Sequence, residues 1–327
     1  MERIGYLCTY TPKELIRAAG FLPVRILAGN QAISLANSYL QSYSCSQARG
    51  CLEKMLRGEL NLRAVVFTRS CDTLMRLADI WEKNSEMEVY NLEFPTKVGE
   101  SSVDFFKREL YDFKAKLEEW AGRKIGAAEL VSSIKLYSQL ERILKEIFKI
   151  QPDYDLIFKA EREDPSEVLI DARKRLEKLK KRPRPFSEKR VLVTGSVCFP
   201  EILQLIGDVG FLVTDDLCTG TRFFNFKAGK FKGDVIDFLA RKYFDKAPCP
   251  TKSYADERRF GYLLERVKAV DAVIFLLLKF CEPHFFDYPQ LRDKIERMGK
   301  RTLLLELEFP VSIEQLRWRI EAFYETL

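Results

Sequence analysis

The chain has 327 residues, 46% hydrophobic and 31% charged, which supplies apolar material for a large core and, by length, for about two domains. Its longest uninterrupted apolar run, Ala272–Leu278, is far short of the roughly 18–20 residues of a membrane span. Glu2, Arg3 and Lys13 break a signal-peptide pattern, so a cytoplasmic protein without membrane spans is expected. The net charge of +6 is local: residues 173–190 carry ten Lys or Arg against Glu177 and Glu188, a balance of +8, and the remainder sums to −2. Such a run reads as a solvated helix end and linker, and no nucleic-acid-binding signature accompanies it.

In chain order, residues 4–7 read as a strand, 12–19 as a helix with Thr11 as N-cap, and 23–27 as a second strand. Residues 64–68 form a buried strand before a helix over 72–81, and 89–94 a strand closed by Pro95. From 102 to about 179 charged amphipathic periodicity takes over, with stripes such as Leu110, Phe113, Leu117 and Leu140, Ile143, Ile147. This helical connector ends in the basic run and the break at Pro183 and Pro185. Strands then fall at 191–194, 211–215, 272–279 and 302–306. Helices fall at 200–206, 235–244 and 256–267, after Pro289, and from 313. Alternating strands and helices imply parallel sheets. The reading is an α/β protein: a domain over 1–100, a helical connector with a basic linker over 101–188, and a second α/β domain over 189–327.

The eight cysteines carry the chemical signal. Without an export signal they are expected as thiols, either small buried apolar residues or ligands. Cys8, Cys71, Cys198, Cys218 and Cys281 each lie just beyond the carboxyl end of an expected strand, the edge where open α/β sheets bind ligands. No Cys-x-x-Cys occurs, and His284 is the sole histidine, which disfavours thioredoxin-like redox and compact zinc sites. Ligands scattered over two domains suit an iron–sulfur cluster at their interface. His284 either donates protons beside it or packs, and Glu282 reads as a solvated turn residue. Gly-x-Gly-x-x-Gly, P-loop and Gly-x-Ser-x-Gly motifs are all missing, so the chain is not expected to hydrolyse ATP itself.

At these residues the sequence resembles the 2-hydroxyacyl-CoA dehydratase D-component family, which also holds benzoyl-CoA reductase subunits and double-cubane cluster proteins. The resemblance rests on Gly5-Tyr-Leu-Cys-Thr-Tyr-Thr-Pro-Lys-Glu14, Ser44-Cys45, Arg69-Ser-Cys-Asp72, Thr194-Gly195-Ser196, Asp215-Asp-Leu-Cys-Thr-Gly220, Pro248-Cys-Pro250 and Lys279-Phe-Cys-Glu-Pro283. It runs nearly end to end. It implies two Rossmann-like domains with an oxygen-sensitive cluster between them. The positions matching the ligands of a 4Fe-4S cubane with one open iron are Cys45, Cys71 and Cys281. Those matching the extra ligands of an 8Fe-9S double cubane are Cys8, Cys218 and Cys249. Cys51 and Cys198 have no counterpart and are expected to be structural.

The activity the resemblance implies is that of an anaerobic component that accepts a low-potential electron from an ATP-hydrolysing activator. It would act on an acyl-CoA, by dehydration of a 2-hydroxyacyl-CoA or reduction of an aromatic one. Family precedent implies a homodimer, or a heterodimer with a related subunit. Larger members carry a helical segment ahead of the Gly-Tyr-x-Cys strand, so a divergent role is one alternative. The others are a double-cubane reductase of small molecules, a non-catalytic relay or scaffold subunit, and an α/β protein with no cluster.

Overall fold

The computed structural model describes residues 1–97, 99–181, 189–226, 233–251 and 256–327. The first sheet is built from β1 (Arg3–Tyr6), β2 (Leu22–Arg25), β3 (Ala64–Arg69) and β4 (Glu88–Glu93). The second comprises β5 (Lys189–Gly195), β6 (Phe211–Asp216), β7 (Ala272–Leu278) and β8 (Arg301–Leu307). Both are all-parallel, in the orders β2-β1-β3-β4 and β6-β5-β7-β8, so the two halves repeat one topology. This is an α/β fold of two Rossmann-like domains. β7 is buried at every position, as a central parallel strand covered on both faces must be.

Twelve helices complete the described fold: α1 (Lys13–Ala18), α2 (Ser46–Leu56), α3 (Asp72–Asn84), α4 (Glu100–Ala121), α5 (Ala127–Ile150), α6 (Tyr154–Ala160), α7 (Pro165–Lys180), α8 (Pro200–Asp208), α9 (Val235–Phe244), α10 (Asp256–Val267), α11 (Glu282–Arg297) and α12 (Ile313–Glu325). None is long and apolar enough to cross a membrane. Asp153, Asp164 and Asp234 cap α6, α7 and α9 by accepting backbone N–H groups.

The helices between the sheets divide their apolar faces. Val103 to Trp120 on α4, with Leu130 and Ile134 of α5, pack with β1 and β3. Leu140, Leu144 and Ile147 of α5, with Val168 to Leu179 of α7, pack under β5 and β7. At 1.5 Å per residue α5 is about 36 Å long and runs through both cores. α9, although its sequence lies in the second half, buries Ile236, Leu239, Ala240 and Tyr243 against the first sheet.

Three local expectations are corrected. The residue just ahead of α1 is Pro12, and the Thr11 hydroxyl instead exchanges a 2.9 Å hydrogen bond with Thr68. α2 has no counterpart among the expected helices, because buried Gln47, Arg49 and Glu53 interrupt its apolar face of Ala48, Cys51, Leu52 and Met55. α11 starts at Glu282 and not after Pro289: Pro283 occupies its first turn, where no N–H is needed, and Pro289 removes one helical bond without ending the helix. The break at Pro183 and Pro185 lies outside the described residues.

Gly195 ends β5 where the backbone of β7 leaves no room. A Cβ there would stand 1.9 Å from the Leu276 carbonyl oxygen, so the strands must separate to admit one. Gly195→Ala is expected to cost about 3 kcal/mol or more of stability, read as a lowered denaturation midpoint.

Candidate functional site

Each sheet changes winding direction between its two central strands, β1 and β3 in one and β5 and β7 in the other, and the crevice beyond their carboxyl ends is where such sheets bind ligands. Cys8 follows β1, Cys71 follows β3, Cys218 follows β6 and Cys281 follows β7. Cys45 precedes α2, and Cys249 lies between α9 and α10. Electrostatically, Cys281 feels Cys45, Cys71 and Cys249, while Cys71 feels Cys45, Cys8 and Cys249. Cys218 is hydrogen-bonded to Cys249. Six thiols from both domains thus gather in one region.

The other two cysteines bond elsewhere. Cys51, behind Cys45, accepts from Gln47 Nε2 at 3.2 Å and donates to the Ile26 carbonyl at 3.6 Å. Cys198 follows β5 but donates to the Phe199 carbonyl at 3.4 Å within an apolar cluster. All eight are free thiols.

Cys45, Cys71 and Cys281 share one local design. Each is the N-cap residue of a helix, α2, α3 or α11. None of the three side chains caps its helix by a hydrogen bond; the first-turn amides of Ala48, Met75 and His284 donate to the Cys45, Cys71 and Cys281 carbonyls at 3.0, 3.1 and 3.1 Å. Three positive helix ends therefore lie beside these residues, and the nearby amides act to lower their thiols, a setting that favours thiolate. Burial still dominates: it pushes Cys71 up to about 12, Cys281 well above the usual thiol range and Cys45 in the same direction.

Cys218 and Cys249 are met by side chains instead. The Arg222 Nη1 donates to Cys218 Sγ at 3.4 Å, and Thr251 Oγ1 to Cys249 Sγ at 3.3 Å. The bond from Cys218 holds Cys249 well below the usual thiol range against burial, helped by His284 and Arg222. The same bond and burial push Cys218 up. His284 is 4% exposed, and burial pulls it down to about 4 against its bond to Cys249. Glu282 is exposed at the start of α11.

Buried cations and cross-domain bonds surround the thiols. Arg25 pairs with Glu161 and reaches across to the Cys218 carbonyl at 2.7 Å. Arg222 grips Asp216 at 2.6 and 3.0 Å, and Arg259 joins Asp216, Asp287 and the Pro248 carbonyl. The loop holding Cys8 is sewn to the segment leading to Cys249: Lys246 donates to the Thr9 carbonyl, Tyr10 to the Ala247 carbonyl and Tyr243 to the Thr11 carbonyl. Arg49, near Cys45, and Lys279, near Cys281, share Glu308 at 2.8 and 3.2 Å. Below them Lys242 bridges Glu14 and Glu141 at 2.8 and 2.9 Å, while Tyr243 donates to Glu14.

Sequence reasoning missed these cations, because a charged residue reads as surface by default. The one available signal is proximity to a cysteine motif: Arg49, Arg222, Lys246 and Lys279 all lie within four residues of Cys45, Cys218, Cys249 or Cys281.

The donor set fits an iron–sulfur cluster. Thiolates are its standard ligands, and amide and cation contacts to sulfur stabilise its negative charge. Among the described residues no three His, Cys, Asp or Glu are grouped as ligands of one ion, whereas a cluster spans wider-set thiols. A cleft of about 320 Å³ between the domains, lined by Leu27, Lys54, Phe158, Arg162, Phe199 and Val311 among others, is lined by none of the six cysteines.

A family model for the D-component of 2-hydroxyglutaryl-CoA dehydratase matches residues 8–327. The chain belongs to that family. Among D-component relatives, it is 29% identical to the lactoyl-CoA dehydratase subunit beta of Anaerotignum propionicum, covering 99% of this chain and 91% of that protein. It is 28% identical to the (R)-phenyllactyl-CoA dehydratase beta subunit of Clostridium sporogenes, over 100% and 92%. A benzoyl-CoA reductase subunit of Thauera aromatica matches at 26%, over 89% and 81%. As a member of the D-component family the chain is an enzyme component, and the naming of relatives as beta subunits implies a partner subunit.

The buried Glu14 pair makes stability depend on pH. Burial would raise the Glu14 carboxyl, but Lys242 and Lys13 overcome it and hold Glu14 down at about 2. A folded pKa below the unfolded value of about 4.3 contributes stability above that value, lost as pH falls towards 2. Glu14→Gln is expected to cost about 3 kcal/mol at neutral pH and to flatten the acid limb between about pH 4 and 2, checked by denaturant unfolding across pH.

Proposed function

We propose that the chain is the cluster-bearing component of a two-subunit acyl-CoA dehydratase or reductase, with a 4Fe-4S cubane held by Cys45, Cys71 and Cys281. The observation that carries this reading is that these three cysteines, from both sheets, stand at the N-termini of three helices and their thiols act electrostatically on one another. Such a cluster would supply low-potential single electrons, received from an ATP-hydrolysing activator and delivered to an acyl-CoA. The relatives' names support the acyl-CoA class, 2-hydroxyacyl-CoA dehydration above all. The chain's own residues hold the sulfurs in place, set three helix N-termini beside them and exclude water. His284, buried against Cys249, is assigned the task of holding or moving a proton beside the thiols.

A second reading has its own support. Cys8, Cys218 and Cys249 share the region of the first three thiols, as ligands of an 8Fe-9S double cubane acting on small molecules would.

Iron and acid-labile sulfide per chain, after purification without oxygen, separate the two. About four irons are expected for the cubane and about eight for the double cubane. Alanine at Cys45, Cys71 or Cys281 is expected to remove most of the iron. Alanine at Cys8, Cys218 or Cys249 halves it only if the double cubane is present. Protein that holds neither iron nor sulfide when made with cluster assembly active overturns both readings.

A further inference from the structure

Lys246 is 3% exposed, on the loop that leads from α9 to Cys249. Its ammonium donates to the Thr9 carbonyl at 2.5 Å and to the Thr9 hydroxyl. The rings of Phe226, Tyr10 and Tyr243 surround it at 5.0, 5.6 and 5.8 Å. Among the described residues no carboxylate lies within ion-pair distance of it.

That sets it apart from the other buried cations nearby. Arg25 has Glu161, Arg222 has Asp216, Arg259 has Asp216 and Asp287, Lys13 has Glu141, and Lys242 has Glu14 and Glu141. Carbonyls, hydroxyls and ring faces solvate an ammonium without neutralising it, and burial, with Lys13 and Arg25 nearby, pulls Lys246 down to about 7 while Cys8 and Glu161 oppose it, so its full charge requires a facing anion. Glu161, the acid whose field reaches Lys246, is occupied by Arg25. The groups left to complement it are thiols: Cys8, adjacent to Thr9, whose field it feels, and Cys249, three residues further along.

We infer that Lys246 is the fixed counter-cation of the thiol site, its compensating anion being the loaded cysteines rather than any carboxylate. This rests on the cluster reading above. Lys246 acts as a positioning residue in two ways: its bond to Thr9 ties the Cys8 loop to the Cys249 loop, and its charge favours the electron-rich state of whatever the thiols hold. Reduction adds one negative charge, so a nearby ammonium makes the midpoint potential less negative.

The test is an electron paramagnetic resonance redox titration of the anaerobically purified, iron-loaded protein, with iron per chain measured on the same samples. Lys246→Gln keeps a donor for Thr9 and removes the charge, while Lys246→Arg keeps the charge. The glutamine variant is expected to retain its iron and titrate at a more negative potential, and the arginine variant to titrate near the wild type. An unshifted potential in iron-loaded Lys246→Gln overturns the inference and leaves the cluster reading standing. If glutamine impairs folding, Lys246→Arg decides: a normal potential in it, beside a negative shift in the folded fraction of Lys246→Met, supports the assignment. Equal potentials in those two variants overturn it. A wild type without iron overturns the cluster reading, and this inference with it.

Discussion

The site depends on the two domains being held at one fixed separation, because its thiols come from both. Cys8, Cys45 and Cys71 belong to the first half, and Cys218, Cys249 and Cys281 to the second. Local structure can fix a residue at the end of a strand; it cannot fix the distance to a residue on another sheet. Side-chain bonds do that here. Arg25 reaches Cys218, the Thr9–Thr11 segment is sewn to 243–247, and Glu308 gathers Arg49 and Lys279. Each bond has at least one end on a segment that carries, or adjoins, a cysteine.

The helices reinforce this bracing from below. α5 contributes to both cores, and α9 leaves the second half of the sequence to pack on the first sheet. Separating the domains would expose apolar surface on α5.

Much of this was legible in the sequence, and the residues show why. Strands such as β7 announce themselves because a central parallel strand is apolar throughout. The cysteine motifs announce themselves because a thiol just beyond a strand end is unusual. α2 stayed hidden because Glu53, the acceptor for the Ser34 and Ala36 amides, looks like a surface charge in one dimension. Thr11 has the right chemistry for a cap, yet its hydroxyl is drawn to Thr68, a partner no local pattern reveals. The buried cations were invisible for the same reason: their partners lie up to 237 residues away, as for Lys246 and Thr9.

The repeated strand order makes the halves topological equivalents, so Cys71 and Cys281 occupy the same station: each follows the third strand of its sheet and opens the next helix. The likeness stops at the first strands, where Cys8 joins the thiol set and its equivalent Cys198 turns to a carbonyl in the core. A duplicated frame has thus become polar. One group of cysteines opens three helices, whereas in the other Arg222 and Thr251 reach the sulfurs of Cys218 and Cys249, so the two sides of the crevice are chemically unlike.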